Sequence, residues 1–108
     1  RVCIRGPEDK KNKEDLGYAW LADDEIFSFY EMRSAAVDTR SLKSEGPAAV
    51  ADPQAENRRR IRAQLETLIA KNVRHVVLSA FGCGVFKNPP EAIATAYRDE
   101  LAALGVLV

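Results

Sequence analysis

Two glycines flank a cysteine at Gly82-Cys83-Gly84, and a cap-like Asn88-Pro89-Pro90-Glu91 follows four residues later. Such spacing suits an anion. Glycine permits backbone conformations and close approaches that a Cβ forbids. Free N–H groups in a glycine loop next to a helix N-terminus can hold a phosphate or diphosphate. Asn88 reads as an N-cap, Pro89 as the first helical residue and Glu91 as a capping-box acid. The run Val76-Val77-Leu78 ahead of the loop reads as a strand covered on both faces. A Gly-x-Gly after a strand is more often a plain tight turn than a binding loop, and that reading stands beside the first.

A longer string narrows the choice. Ala80-Phe81-Gly82-Cys83-Gly84-Val85-Phe86-Lys87-Asn88-Pro89-Pro90-Glu91 resembles the "GAWGCGvFgNpPe" signature of the microbial-type poly(ADP-ribose) glycohydrolases, a branch of the macrodomain superfamily. The similarity is dense over these twelve residues and loose over the rest of the span from Asn57 to Leu104. Ser79 and Lys87 depart from it, each standing where the family often has glycine.

The resemblance implies an α/β fold with three α/β/α layers and a mixed, mostly parallel sheet. It also implies ADP-ribose, or an ADP-ribosylated protein, as the partner. On the same analogy Gly82, Cys83, Gly84, Val85 and Phe86 wrap the diphosphate, with Phe86 toward the ribose, and Asn88 counts among the ligand-binding residues. Ser34 and Ala35 (with Ala36) would border the adenosine side. The hydrolytic members use a Gly-Gly-Gly run and a Gln-Glu-Glu run, and this sequence has neither. No catalytic residue is therefore assigned, and hydrolysis of an ADP-ribose linkage would need a carboxylate supplied from elsewhere. Glu8, Glu31 and Glu91 are the nearest-looking acids. The alternatives are a noncatalytic nucleotide-diphosphate binding module and, less favoured, a thiol enzyme using Cys83. His75, the single histidine, would sit about 27 Å from Cys83 along one strand at ~3.3 Å per residue, too far to be its base.

The elements that must position this loop can be read from periodicity. Arg1–Arg5 has strand character, and Gly6–Asp15 is a charge-dense loop. Tyr18–Leu21 reads as a short strand or a turn packing Trp20, and Ile26–Val37 as a second strand with an aromatic start, with helix as the alternative over Glu31–Ala36. Asp38–Ala51 reads as a surface loop. Asp52 and Pro53 open a helix whose apolar face carries Ile61, Leu65, Leu68 and Ile69, ending at Asn72. Arg58, Arg59, Arg60 and Arg62 on it read first as a solvated face and second as a phosphate patch. A last helix runs from about Pro89 to Leu104 with Ile93, Tyr97, Leu101 and Leu104 on one side and Gly105 as its stop. Helix, strand, loop, helix and a new apolar run is the alternation of a parallel sheet, whose ligands bind beyond the strand ends.

Composition sets outer limits. The 108 residues form at most one domain, read here as a single domain spanning 1–108. Both ends fall inside elements, so the domain reads as incomplete, a piece of something larger. Sixteen basic and sixteen acidic side chains give no net charge, and so no global field for nucleic acid or an anionic membrane. No apolar run reaches membrane-spanning length. Two separated cysteines, Cys3 and Cys83, and one histidine give no metal-ligand spacing, and no cofactor is implied. A reducing, cytoplasmic setting is the default; a secreted effector made in such a cytosol would look the same.

Overall fold

The computed structural model describes residues 1–41 and 50–106. The chain divides into two compact units, Arg1–Met32 and Arg33–Val108.

The first unit is built from four short strands. β1 (Val2–Cys3) pairs antiparallel with β4 (Phe27–Ser28), and the ladder continues through reciprocal 3.0 Å bonds between Arg1 and Phe29. β2 (Arg5–Glu8) pairs antiparallel with β3 (Tyr18–Trp20), with a register irregularity between Arg5 and Glu8. The excursion between them closes through Leu16 and Gly17, both left-handed, and through a bond from the Asp9 N–H to the Gly17 carbonyl at 2.7 Å. Trp20 is not a core residue. It lies exposed under the Arg5 guanidinium, 3.4 Å from the ring centre, as a cation–π contact.

The second unit is a pair of helices with long connections. α1 (Pro53–Ala70) starts where the sequence places it: the Asp52 carboxylate accepts from the N–H groups of Gln54 and Ala55. It stops at Asn72, whose left-handed backbone (φ 53°) lets Asn72 and Val73 bond back to Ile69 and Leu68. α2 (Pro90–Ala103) ends the same way: Gly105 (φ 69°) and Val106 bond back to Ala102 and Leu101. Ile61 and Leu65 of α1 pack with Ile93, Ala96 and Tyr97 of α2, and Ala36 and Phe81 complete the core. Ile69, expected on the buried face, is half exposed.

The seam between the helices also carries polar groups that periodicity does not foresee. Gln64 is buried and accepts from the Tyr97 hydroxyl at 2.8 Å, while its Nε2 has no partner among the described residues. The Tyr97 pKa is raised, chiefly by burial. The arginine row is neither a bare solvated face nor a free phosphate patch. Arg58 and Arg62 reach across to Glu100, Arg58 also reaches Asp99, and Arg59 and Arg60 converge on Glu56.

The expected three-layer α/β/α fold with a mostly parallel sheet does not form. Among the described residues the sheets are two antiparallel pairs of short strands. The presumed central strand, Val76-Val77-Leu78, has no partner strand among the described residues, and Val77 is 99% exposed. Apolar β-branched residues favour an extended backbone, but a strand exists only through a neighbour that takes its hydrogen bonds. The Ile26–Val37 expectation shrinks to β4 for the same reason. Of the Asp38–Ala51 loop, residues 42–49 lie outside the described residues, as do 107–108 of the final apolar run.

Two outcomes follow from the helix seam. Gln64→Leu should cost about 1–3 kcal/mol, because it orphans the buried Tyr97 hydroxyl; Gln64→Leu with Tyr97→Phe should recover most of that loss. Denaturant titration of both variants checks this. Arg59 and then Arg60 hold the Glu56 carboxyl down to about 2 from 4.5. A depressed carboxyl stabilises above its unfolded pKa, and the contribution fades as pH falls from about 4.5 toward about 2. The urea midpoint should therefore drop less steeply across that window in Glu56→Gln than in the wild type.

Candidate functional site

The glycine loop, 81–88, is held from inside. The Asn88 amide donates to the carbonyls of Val37 at 2.8 Å and Gly82 at 3.0 Å, and accepts from Asn57 Nδ2 at 2.7 Å. Asn57 Oδ1 in turn accepts from the Val37 N–H at 2.8 Å. Both amides are buried, so water does not compete for these bonds. This network fastens three pieces of chain, the 36–37 segment, α1 and the loop. It also corrects the cap assignment. Pro89, not Asn88, is the N-cap of α2, helix begins at Pro90, and no side chain caps it.

Gly82 is required by space and by conformation. Its φ is 73°, and a Cβ there would lie 2.3 Å from the Ala36 Cβ and 2.6 Å from Asn88 Nδ2. Gly84 differs, since a Cβ at that position meets nothing within 4 Å. Cys83 is half buried against the helix core, with its Sγ directed to the Phe81 carbonyl at 3.8 Å. That packing is the environment of a small core residue more than of a displayed nucleophile. Val85 is exposed, and Phe86 packs partly on the core.

The loop's donors divide into used and unused. Phe81, Cys83, Lys87 and Asn88 donate to Ser79, Ala80, Gly84 and Gly82. The N–H groups of Gly84, Val85 and Phe86 meet no acceptor among the described residues. Lys87, left-handed at φ 58° although not glycine, follows directly and is exposed. The N-terminus of α2 adds less than its sequence promises: Pro89 and Pro90 have no N–H, and Glu91 places an acid in the first turn.

A second segment lies against the loop. Thr39 sends both its N–H (3.1 Å) and its hydroxyl (2.6 Å) to the Phe86 carbonyl. Arg40, next in chain, places its guanidinium 5.8 Å from the Phe86 ring centre and is gripped by Asp38 through two bonds, 2.9 and 2.6 Å. Arg40 in return holds the Asp38 carboxyl below its ordinary range. Of the residues expected to border the ligand, Ala35 is exposed and its carbonyl takes a bond from Arg60 at 2.8 Å; Ser34 is exposed beside it. An open groove of about 480 Å³ adjoins the loop, lined in part by Thr39, Pro53, Gln54, Lys87, Asn88 and Pro89. Sequence reading missed Asp38, Thr39, Arg40 and Asn57. No motif marks them; Asn57, on the inner face of α1 one turn before Ile61, was the single legible hint.

No group of three or more His, Cys, Asp or Glu side chains arranged for a metal occurs among the described residues. No helix among them is long and apolar enough to cross a membrane. Comparison with protein-family models, curated proteins and solved structures gives no match.

Two glycines therefore should behave oppositely. Gly82→Ala should lose about 2–4 kcal/mol from the combined clash and left-handed strain, whereas Gly84→Ala should stay within about 0.5 kcal/mol of wild type. Asn88→Ala should fall between, at about 1–3 kcal/mol, by leaving Asn57 and the Val37 carbonyl unpaired. Chemical denaturation of the three variants checks the order.

Proposed function

We propose that the 33–108 unit binds a nucleotide diphosphate, with ADP-ribose as the ligand, through the 84–87 edge of the glycine loop. The observation that carries this reading is the run of three consecutive N–H groups, Gly84 to Phe86, without acceptors among the described residues, followed by the cationic Lys87. Successive backbone donors with a nearby positive side chain match the oxygens of a diphosphate. The open groove beside it, lined by Lys87, Asn88 and Pro89 and also by the acidic Asp52, is where the remainder of a nucleotide would lie. The identity of the ligand rests on the resemblance of Ala80–Glu91 to the glycohydrolase signature.

The activity proposed is binding rather than hydrolysis. Cleaving a ribosyl bond needs a positioned acid or a group that stabilises an oxocarbenium-like centre. Glu91, the carboxylate nearest the loop in sequence, sits in the first turn of α2, and the sequence holds no Gln-Glu-Glu run.

Isothermal titration with ADP-ribose tests the reading. Binding of micromolar strength is expected, abolished by Gly84→Val with the thermal midpoint unchanged, since Gly84 has room for a side chain. Equal affinity in that variant, or no binding by the folded wild type, would overturn the proposal.

A further inference from the structure

Arg40 is an unusual neighbour for a loop with unused donors. It is fixed at the loop's rim twice over. Thr39, one residue before it, is tied by two bonds to the Phe86 carbonyl, and its guanidinium lies at the Phe86 ring. The Asp38 carboxylate occupies its Nε and Nη2 edge in a two-point grip. That fork is the one a phosphate would use, because carboxylate and phosphate present similar oxygen pairs to a guanidinium. The pair is solvent-accessible, with Arg40 about half exposed (51%) and Asp38 less so (29%), so exchange of one anion for another needs no unfolding. Phe86 contributes both the last unused N–H of the loop and the aromatic face beside the guanidinium.

We infer that Arg40 is a phosphate-recognising residue of the proposed diphosphate site, and that Asp38 is an internal competitor that holds it until a ligand phosphate takes its place. The inference rests on the binding reading above. Asp38 serves two ends: it keeps the guanidinium at the rim in the empty site, and it sets a threshold that a weakly charged anion does not pass. A ligand gains from Arg40 only the difference between its own contact and the one Asp38 already makes.

The test is titration of pyrophosphate and of ADP-ribose into wild type, Arg40→Gln, Asp38→Asn and the double variant, with Gly84→Val as the site control. Arg40→Gln should weaken both ligands about tenfold or more, the scale of a lost charge-assisted contact. Asp38→Asn should tighten both several-fold, and this gain should vanish in the Arg40→Gln background, because a competitor acts only through the group it competes for. Arg40→Lys should restore part of the affinity, keeping charge without the fork. Weaker binding in Asp38→Asn, or a gain that persists without Arg40, would overturn the competitor role. Normal affinity in Arg40→Gln, with Gly84→Val inactive, would overturn this inference alone. No binding by wild type would overturn the loop reading and this one together.

Discussion

The hydrogen-bonded pair of amides, Asn57 and Asn88, is the constraint on which the second unit depends. Each supplies one donor or acceptor to the other and spends the rest on backbone: Val37 twice, Gly82 once. Burying two amides is favourable only when their groups are paired. Here the pairing fixes the distance between α1 and the loop, and seats the 36–37 segment against both. Gly82 follows as a consequence. With Ala36 and the Asn88 amide drawn so close, no side chain fits there, and a left-handed backbone completes the turn. Beside this committed inward edge, the N–H groups of Gly84 to Phe86 have no acceptor among the described residues.

Charge is organised around the same frame. The arginines of α1 are consumed within the helix by Glu56 and Glu66 and across the seam by Asp99 and Glu100 of α2, and only the second set ties the two helices together. Exposed pairs of this kind add little stability individually. Their effect is to leave that row with no spare cation for a ligand. The positive groups beside the loop are instead Lys87 and Arg40, and the latter is already shared with Asp38.

Several features were legible in the residues alone, for a common reason: their causes are local. Asp52 and Pro53 open a helix, Asn72 and Gly105 close one, and Ile61, Leu65, Ile93 and Tyr97 mark the faces that meet. The Gly-Cys-Gly stretch announces a tight loop. Features that depend on distant partners were not legible. Val76–Leu78 has the composition of a central strand, yet no described strand pairs with it, and the parallel sheet inferred from alternation is not found among the described residues. Asn88 has the signature of a helix cap, but a buried amide 31 residues away claims its side chain.

The sequence by itself determined the helices, their stops, their contact faces and the position of the glycine loop, because propensity, capping and left-handed turns act over a few residues. Only the tertiary structure decided which glycine is obligatory, which loop amides lack an acceptor among the described residues, that Cys83 packs inward, and that Asp38 and Arg40 stand at the loop's rim. Those outcomes arise from hydrogen bonds and packing between segments 20 to 51 residues apart. Their energies depend on burial and geometry that no spacing of residue types encodes.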